Sequence, residues 1–61
     1  MMVELTMHNG KKIWIKSDLI SGIREEVDGE NEICGSIVYF GNSEYYVKEV
    51  AEHIISMIYQ S

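Results

Sequence analysis

The densest set of ionisable side chains in this 61-residue chain is Glu25, Glu26, Asp28, Glu30 and Glu32, crowded into one short stretch. Carboxylates at this density can dock a basic protein surface, such as that of a nucleic-acid-binding protein whose site they mimic. They can also offer hard oxygen ligands to calcium, but Asp28-Gly29-Glu30-Asn31-Glu32 lacks the length and ligand order of an EF-hand loop. The plain alternative is a solvated hairpin tip kept soluble by its charge. Glu49 and His53 stand one helical turn apart and could share a metal edge, yet two ligands do not make a site, and a solvated ion pair is the simpler expectation. Cys34 has no neighbouring His or basic residue to lower its pKa and reads as a small buried apolar group. Tyr39, Tyr45 and Tyr46 could stack the bases of a single strand, but the net charge of -5 has the wrong sign, so cross-strand packing is expected. No Ser-His-Asp set and no phosphate loop can be assembled from these residues. The chemistry points to binding without catalysis, cofactor or metal.

Trp14 is the sharpest single residue, because its position follows from strand register. Val3, Leu5 and Met7 alternate with Glu4, Thr6 and His8, and Ile13 and Ile15 alternate with Lys12, Trp14 and Lys16, each with the period of a half-buried strand. A two-residue Asn9-Gly10 turn would pair Leu5 with Trp14 and split the apolar set between two faces. A three-residue loop, His8-Asn9-Gly10 with Gly10 left-handed in a bulge, pairs Met7 with Lys11, Leu5 with Ile13 and Val3 with Ile15. That register unites the apolar residues and is preferred. It sets Glu4 opposite Trp14 and Thr6 opposite Lys12 on the outer surface. An indole left there, between Lys12 and Lys16, marks either a subunit boundary or a partner site, unless the sheet folds over it.

The elements that must position these residues follow in order. Ser17-Asp18-Leu19-Ile20 reads as a reversing turn that Ser17 could cap. Ile23 to Val27 gives a moderate strand signal, Asp28-Gly29 a tight turn, and Ile33 to Phe40 a strand rich in β-branched and aromatic residues. Gly41-Asn42-Ser43 forms a short loop before a last strand, Glu44 to Val47. Its parity places Val38 and Phe40 on one face with Tyr45 and Val47, and Ile37 and Tyr39 on the other with Tyr46. The second face then needs a helix, a second subunit or a partner. From Lys48 to about residue 60 the spacing of Val50, Ile54, Met57 and Ile58, broadened by Ala51 and Ile55, predicts an amphipathic helix with Glu49, Glu52, His53 and Ser56 on its polar side. The expected fold is a single α+β domain over residues 1–61: a small antiparallel β-sheet of about five strands in two or more hairpins within residues 2–47, followed by one C-terminal amphipathic helix.

Size and composition bound the function. A chain of this length buries only roughly 60% of its unfolded surface. With no proline, one cysteine and no visible metal cluster, it has no staple, so a homo-oligomer is expected. The lone thiol suits a reducing cytoplasm. Met1-Met2-Val3-Glu4 lacks the features of a signal peptide, and no apolar run approaches the ~20 residues of a membrane span. The acidic balance argues against direct nucleic-acid binding.

Val3-Glu4-Leu5-Thr6, Asn9-Gly10-Lys11, Ser17-Asp18-Leu19-Ile20 and Tyr46-Val47-Lys48-Glu49 together resemble the flagellar FlbD/SwrD family of small bacterial proteins, which share this length and strand-then-helix order. Similar short proteins occur in bacteriophages and prophages. The middle departs from the family pattern: Asp28 to Gly35 is longer and more acidic, and Gly41-Asn42-Ser43 replaces an Asn-Gly-type turn. The flagellar branch would imply a motility accessory role and brings no catalytic residues. The acidic middle favours a phage or mobile-element relative that inhibits or regulates a host protein, in a counter-defence role. Candidate contact residues are then Lys12, Trp14, Lys16, Tyr39 and Tyr46, with the acidic tip as a second docking surface. A third class is a small-molecule sequestering protein with its pocket between subunits.

Overall fold

The computed structural model describes residues 1–59. The elements are β1 (Met2–Thr6), β2 (Lys12–Lys16), a 3-10 turn (Ser17–Leu19), β3 (Ile20–Val27), β4 (Ile33–Phe40), β5 (Ser43–Val47) and α1 (Ala51–Tyr59). The α+β reading holds, with five strands and one C-terminal helix. The strands divide into a β1-β2 hairpin and a β3-β4-β5 sheet.

The first hairpin has the register that unites its apolar residues. Leu5 pairs with Ile13, Val3 with Ile15, Glu4 with Trp14 and Thr6 with Lys12. The Met7 amide donates to the Lys11 carbonyl and the Gly10 amide to the Met7 carbonyl, each at 2.8 Å. Gly10 has φ +90°, a backbone conformation only glycine takes without strain. The Asn9 side chain accepts from the Lys11 amide at 3.0 Å and fixes the loop from inside.

The rest of the chain departs from expectation at specific points. β3 begins at Ile20, earlier than the alternation from Ile23 suggested, because Ser21 is an unpaired bulge residue that hides the period: Ile20 pairs with Phe40 and Gly22 with Tyr39. Ser17 does not cap the 3-10 turn by its side chain; Lys16 occupies the N-cap position. Asp28-Gly29 opens a tight turn, closed by the Asn31 amide donating to the Asp28 carbonyl at 3.1 Å, inside a longer loop. That loop runs from Asp28 to Glu32, with the Asp28 amide donating to the Glu32 carbonyl and Asn31 at φ 62°. The Gly41-Asn42 loop has two residues, since Phe40 pairs with Ser43. Positive φ at Gly41 and not at Asn42 matches a type II′ hairpin turn. The helix starts at Ala51, after Val50, whose carbonyl accepts from the His53 and Ile54 amides. Lys48 to Val50 therefore precede the helix, and the expected end near residue 60 lies outside the described residues.

The two sheets join where β1 ends. Met7 bridges Val47 in antiparallel fashion, and the Lys48 amide donates to the Thr6 carbonyl at 2.8 Å. The spatial order is thus β2-β1, then β5-β4-β3. α1 packs against β1 and β3, the inner member of one sheet and the far edge of the other. Ile54 is fully buried there with Val3, Leu5, Ile15, Val38 and Val47. The helix therefore covers the face bearing Val38, not the face bearing Ile37. Val50 and Ile55, expected in the apolar stripe, are exposed, which leaves Ile54 buried and Ala51, Met57 and Ile58 half-buried.

Candidate interaction surface

The outer face of the first hairpin is built by parity. Ile13 and Ile15 turn inward to the core, so Lys12, Trp14 and Lys16 turn outward beside Met2, Glu4 and Thr6. Trp14 is 57% exposed. The Lys12 Nζ donates to Thr6 Oγ1 at 2.9 Å and lies 3.4 Å from the Glu4 carboxylate. These contacts steady the face on one side of the indole, and Lys16 extends on the other, exposed.

The same register decides where the backbone of β2 points. The bond from the Met7 amide to Lys11 and the bond from the Ser17 amide to Met1, at 2.8 and 2.9 Å, bracket the hairpin. Hydrogen-bonded pairs alternate along an antiparallel ladder. Leu5–Ile13 and Val3–Ile15 are therefore the bonded pairs between the brackets. Lys12, Trp14 and Lys16 direct their N–H and C=O groups away from β1, along an edge to which no further strand is added among the described residues.

Tyr39 and Tyr46 belong to the other sheet. They share its outer face with Ile37, which pairs with Tyr46 and Arg24 and is only 5% exposed. Tyr46 is exposed and Tyr39 half-buried. Tyr45 lies on the inner face, its ring 5.9 Å from that of Phe40. The three tyrosines thus do not form one platform. The candidate contact residues fall on two surfaces, Lys12, Trp14 and Lys16 on one sheet and Tyr39 and Tyr46 on the other.

The acidic tip is not a uniform surface either. Asp28 Oδ1 accepts from the Glu30 amide at 2.9 Å and from the Glu32 amide at 3.0 Å, so this carboxylate scaffolds its own loop. Glu26 is spent on His8, 3.0 Å away. Glu25, Glu30 and Glu32 are left exposed. Among the described residues, no group of three or more His, Cys, Asp or Glu side chains is placed to hold a metal ion.

Two expectations for individual residues are corrected. Cys34 is exposed, not buried. Val27 pairs with Ile33 and Glu26 with Gly35, which leaves Cys34 as the extra residue of a bulge, and its Sγ donates to the Glu26 carbonyl at 3.5 Å. Glu49 is not on a solvated helix face with His53. Its Oε1 accepts from the Thr6 amide at 2.8 Å, and its carbonyl accepts from the buried Ser36 hydroxyl at 2.6 Å. Partial burial disfavours the charged carboxylate, but hydrogen bonds from Thr6 and the local backbone, with the nearby Lys12 charge, outweigh that cost. They hold Glu49 below the ordinary carboxylate pKa. No periodic pattern announces this role, because Glu49 precedes the helix and its partners come from β1 and β4.

Sequence reasoning also passed over a groove of about 330 Å³ between the start of β3 and α1, lined by Ile20, Ile23, Ile55, Ile58 and Tyr59 together with Ser17, Ser21 and Gly22. Among the described residues, no helix is long and apolar enough to cross a membrane. Comparison of the chain with family models, with curated proteins and with solved structures finds no match.

Proposed function

We propose that this protein is a non-catalytic binding module that engages another protein through the outer face of its first hairpin. The observation that carries this reading is Trp14, 57% exposed on a strand whose neighbours are locked into the core. Exposed indoles on rigid elements are the residues most enriched at binding hot spots. The partner class is a host bacterial protein, inhibited or regulated in the cytoplasm by a phage or mobile-element product. The FlbD/SwrD-like segments and the divergent acidic middle support that assignment. The same likeness also admits a flagellar accessory role. The module also self-associates, as a small unstapled chain with many exposed apolar side chains would.

The test is affinity capture from bacterial lysate with the wild-type protein and with Trp14→Ala as baits. The expected result is a protein held by the first and lost by the second. Identical captured sets from the two baits would remove Trp14 from the site. A captured flagellar motor component would move the assignment to the motility reading. The groove between β3 and α1 supports a second reading, sequestration of a small apolar molecule. Mass spectrometry of the solvent extract from purified protein tests it, with a co-purifying compound as the expected sign and a clean extract as the refutation.

A further inference from the structure

We infer that the free edge of β2 binds an extended acidic segment of the partner as an added antiparallel strand. This inference rests on the reading of Trp14 as a partner site and specifies what the partner brings to it. Three observations carry it. Lys12, Trp14 and Lys16 present their backbone N–H and C=O groups to an edge that no strand among the described residues occupies, the arrangement used in recognition by strand addition. The same three residues carry the outward side chains, so each partner residue bonded to one of them places its own side chain beside that residue. The face also presents two cations in an acidic protein. Lys12 lies near the carboxylates of Glu4 and Glu49, while Lys16 extends exposed on the far side of the indole and the whole chain carries -5.

The partner strand is thereby specified at alternate positions: a carboxylate opposite Lys16, an apolar side chain against the indole of Trp14, and a carboxylate opposite Lys12. A second copy of this chain is a poor occupant. Antiparallel pairing of two β2 edges along their full length would set Lys12 of each against Lys16 of the other, and like charges directly opposite are destabilising.

The test uses the intact protein and a short capped peptide with the core glutamate-threonine-valine-threonine-glutamate. Trp14, the chain's lone tryptophan, is the fluorescent reporter. The expected result is saturable binding with a blue shift of the indole emission. Replacing both glutamates by lysine weakens it by about tenfold or more, as two cross-strand ion pairs turn to repulsion. N-methylation of the glutamate and valine amides, which face β2, abolishes binding, whereas N-methylation of the threonine amides, which face away, preserves it. Equal binding of the acidic and basic peptides, or indifference to the position of N-methylation, overturns the inference. A blue shift that depends on protein concentration and not on peptide, with a dimer mass, overturns it in favour of a second copy. If the peptide fails while lysate capture still depends on Trp14, strand addition is wrong and the Trp14 site stands. If capture is also independent of Trp14, the site itself is wrong.

Discussion

At the scale of single residues, Glu49 ties the two sheets together and Gly35 lets β4 lie close to β5. Glu49 accepts the Thr6 amide across the junction. Glu49→Ala leaves that half-buried donor without its partner and is expected to cost about 1–2 kcal/mol, read from denaturant unfolding. Glu49→Gln keeps an acceptor oxygen and loses only the charge, so its penalty at neutral pH is smaller. The folded pKa of Glu49 lies below its ordinary value. The charge-dependent part of the stability is therefore fully present above the ordinary carboxylate range and fades as pH falls through the lowered value. The gap between wild type and Glu49→Gln should close in acid, and a gap that widens there would contradict the assignment. Gly35, at φ +155°, leaves no room for a side chain, because a Cβ would overlap the Val47 carbonyl oxygen. Gly35→Ala combines that overlap with an unfavourable φ, and a loss of roughly 3 kcal/mol or more is expected from overpacking plus strain. A melting shift no larger than that of an exposed-loop substitution would show that β5 can move away.

At the scale of elements, the hairpin between β1 and β2 was legible because each side chain either joins the apolar set or does not, and only one register satisfies all of them. Its loop glycine can be tested against the one between β4 and β5. Gly10 and Gly41 both have positive φ, +90° and +59°, and open space around the Cβ position. Gly10→Val and Gly41→Val should each lower stability by about 1–3 kcal/mol through backbone strain alone, seen as lower melting temperatures. No shift for Gly10→Val would sink the bulged register. The element reading failed where a bulge reset the alternation. Ser21 obscures the start of β3, and Cys34, a residue type that is usually buried, is turned outward as the extra residue of a bulge. The acidic tip misled for a related reason, since a run of carboxylates does not announce that Asp28 bonds its own loop and Glu26 meets His8.

At the scale of the whole molecule, the chain closes its core with one short helix packed on β1 and β3 and leaves Leu19, Val27, Ile33, Ile55 and Tyr59 exposed. A domain of this size has little surplus stability to set against that exposure. Self-association is accordingly expected, and light scattering at ~10–100 µM, a range well above tight dimer dissociation constants, should give a mass above that of the monomer. A monomer mass there would confine the binding role to heterologous partners. Trp14→Ala should leave the melting temperature nearly unchanged, because the ring lies outside the core, while removing partner capture. A large drop in melting temperature would place the indole in the folding core instead.

By itself the sequence determined what local periodicity encodes: strand and helix identity, the bulged turn at Gly10, and the outward placement of Trp14 between two lysines. These follow from which side chains leave water along one element. Only the tertiary structure decided that the strands divide into two sheets joined at Met7 and Val47, that α1 covers the Val38 face, and that Glu49 bridges from the helix approach to β1. Both faces of the β4-β5 hairpin are apolar enough to be buried, so the pattern alone could not choose between them. The choice is fixed by contacts between elements distant in sequence: the Met7–Val47 bridge, and Glu49, which meets the Thr6 amide and the hydroxyl of Ser36 on the Val38 face.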